Sequence, residues 1–490
     1  MASTRRWPRS QRPAWSGSDG GHVERIALLA CTCFAVPPRA SFDRTDHSGT
    51  AVLVAHHAII ALVALTPFLL FFDNTLVGGL VELYAAIMLA ILAVSIRPGE
   101  AGHWMKTTRR AALLAALPLV WVAIQLLPIP SGGVSGSIWQ TASAALDTKL
   151  LSSITIDPGI TILSLCRYAS LIVVGLIASA VAIERAQTER LFFAIGGATL
   201  VIALVAITFQ FNAFPIINLP NAEPVRTGAI AGCIDGIVLF ATIAIMVVER
   251  HGTRRNRQDY WRQFVLPLGG ALVSLAICSF AILMIASSQA IFAAICGLLA
   301  VGIVQFVRRI GLGRRAALAM AGVAIAGAAA IVATKSDPAA ADFSIRFASN
   351  VSADLVAVAN RIIGEVGLAG SGAGTFEAIY RLYAPQDTTL ILPMAPTAAA
   401  QIAIELGRPA LWAIVAIAIA LILLCGRGGF DRGRDFFYST AGAGVGVATL
   451  VWGFCSSGIN NIAVSILLAV TLGLTLAQSV SRTLDPAFRR

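Results

Sequence analysis

Apolar residues run through this chain in blocks of about 20, divided by short polar breaks, and about 20 is the helix length that crosses a bilayer core. Twelve such blocks fall near 51–72, 75–96, 111–127, 159–183, 191–212, 228–248, 264–286, 290–307, 316–334, 409–425, 441–457 and 461–480. They predict an all-α fold, a polytopic transmembrane helical bundle of about twelve spans in one membrane domain. After the N-terminal tail, only 335–408 is long and lacks a run of that kind. It opens on KSDPAAADFSIR and continues with Phe343, Phe347, Val351, Leu355, Val358 and Ile362, spaced at three and four like one helix face. The glycine-rich LAGSGAGTF, Leu368 to Phe376, ends that predicted helix. EAIYRLYAPQDTT follows, and PTAAAQIAIELG leads into the next block. The predicted organisation is a tail over 1–50, spans over 51–334, a helical loop region over 335–408, spans over 409–480, and a short tail over 481–490.

A mean hydropathy of +0.81 and 12% charged residues exclude an ordinary soluble globule. The net charge of +11 would suggest nucleic acid until the arginines are placed. With the N-terminus inside, Arg97, Arg109, Arg110, Arg185, Arg190, Arg250, Arg254, Arg255, Arg308, Arg309, Arg427 and Arg432 all fall in breaks on one side. The other side holds only Lys149, Arg226, Lys335, Arg346, Arg361, Arg381 and Arg408. That asymmetry obeys the positive-inside rule, puts both termini in the cytoplasm and puts 335–408 outside. The partner it implies is the lipid bilayer, with no nucleic acid. Residues 1–50, rich in Arg, Ser and Pro, read as a disordered basic cytoplasmic tail, because IALLACTCFAV is too short to span. Eight cysteines, none at metal-ligand spacing with histidine, indicate neither a zinc site nor a disulfide framework.

A few polar residues need a reason for their place. Arg226 closes NLPNAEPVRTG at the outer edge of the sixth block. It suits either an arginine snorkelling to headgroups or a cation that grips phosphate bidentately. Arg167 and Asp235 lie in apolar runs and must face protein or a wet cavity. Arg167 reads as a partner of Asp235 or Glu82, or as part of an anion site. Arg346 and Arg361 are separated by slightly more than four helical turns, so they share a side, as a solvated face or as a cationic site; Arg381 joins them in the loop. Gly370, Gly372 and Gly374 either close a helix–helix turn or offer backbone N–H groups as an anion-binding nest. ITIDPGIT predicts a turn just ahead of the fourth block.

LPLVWVAIQLLPIP, VRTGAIAGCIDGI, IASSQAIFAAICGLLAV, RIIGEVGLAGSGAGTFEAIY and PTAAAQIAIELGRPALW follow one another in that order. On these pieces the chain resembles the O-antigen ligase and O-antigen polymerase superfamily of bacterial inner membranes, over roughly residues 110–480. The resemblance implies transfer of a glycan from undecaprenyl diphosphate to a hydroxyl of an acceptor glycan or lipid A-core at the periplasmic face, without cofactor or metal. It implies that Arg226 binds the carrier diphosphate. It aligns Glu405 to Gly407 with the family's Glu-x-Gly and Gly370 to Phe376 with its glycine-rich turn. Where the family reads Ser-Arg-Gly, this chain has Ser288-Gln289-Ala290, and Gln289 bonds phosphate without a charge. Where ligases carry His-Asn, it has Pro396-Thr397, and no histidine falls in an outside loop. The base for a sugar hydroxyl is then sought among Asp342, Asp354, Glu365, Glu377, Asp387 and Glu405. Glu377, just after the glycine turn, is the expected base and Glu405 its positioning partner. Arg226, Arg346, Arg361, Arg381, Gln289, Gly370, Gly372 and Gly374 are the expected substrate contacts. The alternatives are a twelve-span transporter and a non-catalytic component of a polysaccharide export system.

The topology has a direct check. Single cysteines introduced at 340–390 are expected to react with an impermeant thiol reagent from outside, and those at 251–262 to be protected; the reverse pattern would invert the orientation.

Overall fold

The computed structural model describes residues 47–95, 98–128, 137–148, 152–211, 222–252, 264–285, 287–310, 342–348, 351–384, 394–431 and 435–479. The ninth apolar block and nearly all of both tails lie outside these residues. The described elements are helices α1 (His47–Leu69), α2 (Thr75–Ser95), α3 (Pro98–Gln125), α4 (Ser137–Leu146), α5 (Pro158–Val181), α6 (Arg185–Gln210) and α7 (Ala222–Gly252). They continue with α8 (Leu266–Ile285), α9 (Ser288–Ile310), α10 (Ala353–Glu365), α11 (Phe376–Tyr383) and α12 (Ala398–Glu405). Last come α13 (Arg408–Asp431), α14 (Phe436–Cys455), a 3-10 turn at Gly458–Asn460, and α15 (Ile462–Ser479). Helix α1 begins at His47, inside the stretch read as tail.

Hydrocarbon offers backbone groups no partner, so a spanning chain pairs them within a helix or around a closed barrel, and apolar blocks of about 20 residues fit the helix. Eight of the described helices are long and apolar enough to cross a membrane: α2, α5, α6, α7, α8, α9, α13 and α15. Several large apolar side chains stand on their outer faces, among them Leu76, Leu80, Val94, Leu163, Leu283 and Trp412. An apolar surface that wide belongs against lipid, and the chain is a multi-pass membrane protein. The turn read in ITIDPGIT is an N-cap: the Asp157 carboxylate accepts the Ile160 N–H at 3.1 Å and Pro158 opens α5.

Two helices form the interior. Helix α7, about 46 Å long at 1.5 Å per residue, is buried along most of its length. Helix α14 is buried from Phe436 almost without interruption to Cys455. Its AGAGVGVA run explains how so many neighbours fit. A Cβ on Gly444 would stand 2.6 Å from Val301 of α9 and 2.7 Å from Val238 of α7, and one on Gly442 2.3 Å from Thr475 of α15. Helices α5 and α15 touch through backbone, since a Cβ on Gly473 would lie 2.0 Å from the Gly175 carbonyl oxygen. Small residues at such crossings gain dispersion contact that bulkier ones forbid. At the end of the bundle away from α10–α12, Arg250 pairs with Glu189 at 2.7 Å and lies over the Phe437 ring, while Arg308 lies over Phe436 and donates to the Gly429 carbonyl at 2.7 Å.

The long loop corrects one expectation. The face from Phe343 to Ile362 is not a single helix: 342–347 is a turn, and α10 starts at Ala353 under a Ser352 N-cap. The side chain of Asp342 accepts from the backbone and hydroxyl of Ser344, a local alternative to helix that Asp and Ser favour. Arg346 and Arg361 therefore do not share a helix, and the shared side inferred from their spacing is lost.

Gly473→Ala is expected to lower the thermal midpoint in detergent, destabilising by about 1–3 kcal/mol, the usual cost of overpacking. Gly302→Ala, with open space around it, is the control and should be neutral.

Candidate functional site

At the end of the bundle that carries α10–α12, several breaks in helical structure meet around a cavity of about 290 Å³. Its wall draws Asp73 from the α1–α2 turn, Arg167 from α5, and Pro224 and Thr227 from the start of α7. Gly374, Phe376 and Glu377 come from the glycine loop and α11, Gln401 and Glu405 from α12, and Ser457, Gly458, Asn460 and Asn461 from around the 3-10 turn.

Glu405 is the deepest of these, 1% exposed, in the last turn of α12. One carboxylate oxygen accepts the Gly374 N–H at 2.8 Å and the other the Gln401 side-chain amide at 2.9 Å. Burial pushes Glu405 up to about 7; the N–H of Gly374, the Gln401 amide, the N–H of Phe376 and the charge of Arg167 pull the other way. The Gln401 amide oxygen accepts from the Asn460 side chain at 2.7 Å. Arg167 donates to the Asn460 carbonyl at 2.9 Å and pairs with Asp73 at 3.2 Å. Its partner is thus neither Asp235 nor Glu82. Asp235 is buried and accepts from Thr449 at 3.2 Å instead.

The glycine loop is held by its own chain. Gly370, Gly372, Gly374 and Gly407 have φ of +80°, +110°, +81° and +92°, the left-handed region that L side chains rarely enter. The N–H of Gly370 donates to the Gly367 carbonyl and that of Gly372 to the Glu405 carbonyl. The N–H of Gly374 goes to the Glu405 carboxylate, so the anion in this nest is the protein's own. Gln125 of α3 closes the unit by donating to the carbonyls of Ala369 and Glu405.

The other expected site residues are dispersed. Glu377 lines the cavity but is partly exposed and pairs with Arg381 one helical turn on. Arg226 is exposed in the first turns of α7, beside the lining residues Pro224 and Thr227, with Glu223 3.5 Å away. Arg346 and Arg361 are exposed and make no ion pair among the described residues. Gln289 sits in the first turn of α9, accepting from the Ser288 hydroxyl, and is not part of the cavity wall. Thr397 is buried and caps α12: its hydroxyl accepts the Ala400 N–H and donates to the Ser344 carbonyl.

Asp73, Gln401 and Asn460 went unread in the sequence. Each had a signal: Asp73 lies in the short break between two apolar blocks, Asn460 in the GINN between the last two, and Gln401 one helical turn before Glu405. Compared with known proteins, the chain matches no family model and no curated protein.

The carboxyl of Glu405 titrates near 7 folded and near 4.5 unfolded, so the folded state binds more protons between those values. Its contribution to stability is complete below about pH 4.5 and is lost as pH rises through about 7, a swing on the order of 3 kcal/mol. Glu405→Gln is expected to remove that slope: thermal unfolding at pH 5 and pH 8 should differ less in the variant than in the wild type.

Proposed function

We propose that the protein is a membrane glycosyltransferase that moves a glycan from undecaprenyl diphosphate to an acceptor hydroxyl at the periplasmic face of a bacterial inner membrane. Twelve spans with both termini in the cytoplasm accompany this reading. The observation that supports it most is a buried carboxyl titrating near neutrality on the wall of a polar cavity, with a guanidinium across from it. A general base works best when its pKa lies near the working pH. In the proposed step the acceptor oxygen bonds to the anomeric carbon as the bond from that carbon to the diphosphate oxygen breaks. The hydroxyl proton passes to Glu405, and the diphosphate leaves with the electron pair, met by Arg226 at the rim. The base role expected of Glu377 moves to Glu405, because Glu377 is already held by Arg381 and lies nearer solvent. Arg346, Arg361 and Arg381 remain candidates for contact with the glycan outside the cavity.

A transporter is the second reading, and the acid excess of the wall favours it: Asp73, Glu377 and Glu405 face one guanidinium, Arg167. Proton or cation coupling would use such a site.

Purified protein in liposomes, given carrier-linked glycan and acceptor, tests both. Glu405→Gln is expected to slow transfer by about 10²–10⁴-fold, the usual range for a lost general base. Arg226→Ala should abolish transfer and Arg226→Lys restore it only partly, since an ammonium lacks the bidentate fork. Glu377→Gln should keep most activity. Wild-type rates in Glu405→Gln would sink the proposed mechanism, and solute uptake without transfer would favour the transporter.

A further inference from the structure

The hydrogen bonds around Glu405 constrain two amides as well as the carboxyl. Ionised, the carboxyl only accepts, so Gln401 must turn its NH₂ toward it, at 2.9 Å. That leaves the Gln401 oxygen facing Asn460, which must then donate its own NH₂, at 2.7 Å. The backbone of Asn460 is placed by the 3-10 turn it ends, its N–H donating to the Ser457 carbonyl at 2.9 Å and its carbonyl accepting from Arg167 at 2.9 Å, which sets the side-chain amide within reach of Gln401. Reversing the Asn460 amide would reverse Gln401 and present an oxygen to Glu405, which is satisfied only if Glu405 carries a proton. The orientation of the two amides and the protonation of Glu405 are therefore one coupled variable.

We propose that Gln401, locked by Asn460, is the positioning residue that keeps Glu405 ionised and turned to take a proton from the cavity. Each carboxylate oxygen already receives an N–H, from Gly374 or from Gln401, so an incoming proton must use a lone pair left toward the open side. The other titratable groups around Glu405 are Arg167 and Tyr168 of α5, and Glu377 and Asp73 across the cavity. Arg408 of α13 is turned away to Asp342 and the Ile363 carbonyl. Among the described residues, the 3-10 turn alone of the elements packed on α12 supplies a side-chain donor to the Gln401 oxygen. The consequence for transfer rests on the role given to Glu405 above; the relay itself does not.

The test titrates Glu405 in the purified full-length protein by infrared difference spectroscopy, its band assigned by disappearance in Glu405→Gln. Gln401→Met keeps the side-chain length and removes the donor, and should raise the Glu405 midpoint by about one pH unit. Gln401→Leu serves if the Met variant does not fold. Asn460→Ala should shift it the same way by less, and should add nothing on top of Gln401→Met. An unmoved midpoint in Gln401→Met, or an undiminished Asn460→Ala shift in the double variant, overturns the relay. Where transfer is measurable, the acidic limb of its pH profile should move with the midpoint. A midpoint that moves while that limb stays in place would uphold the relay and instead refute Glu405 as the base.

Discussion

One residue closes two gaps at once: the carboxylate of Glu405 accepts the N–H of Gly374, and its backbone carbonyl accepts the N–H of Gly372. The loop from Gly367 to Thr375 is non-helical backbone at the end of a membrane bundle, and every N–H there needs a partner. The last turn of α12 supplies three of them, through Ile404 and Glu405, and the loop supplies others to itself. The fit is close enough that a Cβ on Gly407 would stand 2.0 Å from the Leu368 carbonyl oxygen. A hydrogen bond to a charged group contributes about 1.5–3 kcal/mol, whereas a buried carboxylate left unpaired costs several. The loop thus takes two of its hydrogen-bond partners from one residue, and the cavity wall is built on both.

The opposite wall depends on the packing of small residues deeper down. Gly458 lies so close to the Thr227 carbonyl that a Cβ would be 2.2 Å away, which fixes the 3-10 turn against the start of α7. Arg167 then binds that turn to the α1–α2 turn through the Asn460 carbonyl and Asp73, and Asp73 also accepts the Ile462 N–H. Buried α14 leads straight into this turn, so its Gly and Ala contacts with α7, α9 and α15 set where Asn460 stands. A core built for dispersion contact thereby sets hydrogen-bond geometry at the site.

Apolar block length was enough to find the eight described helices long and apolar enough to cross a membrane, because a block of about 20 apolar residues is the length a spanning helix needs. The Asp-Pro start of α5 and the stop at the glycine loop were also legible, since both are local rules about caps and φ. Tertiary partners were not. The sequence offered Arg167 the acids Asp235 and Glu82, but its salt bridge goes to Asp73, in a break too short to draw notice. Spacing put Arg346 and Arg361 on one helix, and local hydrogen bonds of Asp342 and Ser344 interrupted it. Position after the glycine turn favoured Glu377 over Glu405 in the chain; burial, which a sequence states poorly for a residue at the start of a span, sets Glu405 apart instead.

That separation also bears on where a diphosphate can sit. Two like charges 4 Å apart repel by about 4 kcal/mol at the effective dielectric of a protein surface, and the cavity wall carries Asp73, Glu377 and Glu405 against Arg167. Arg167 has already committed one nitrogen to Asp73 and the Asn460 carbonyl, which leaves less of its charge for a polyanion. Arg226, by contrast, is exposed at the rim, beside Pro224 and Thr227, and among the described residues its ion-pair partner is Glu223, at 3.5 Å. A lipid carrier must keep its chain in the bilayer, so its phosphates approach from the side. In the proposed reaction the division of labour follows: the diphosphate stays at the rim with Arg226, and the neutral hydroxyl of the acceptor enters among the carboxyls. A proton acceptor surrounded by acids and amides suits an alcohol better than it suits a phosphate, and in the proposed reaction this difference, more than the count of arginines, separates the two substrates.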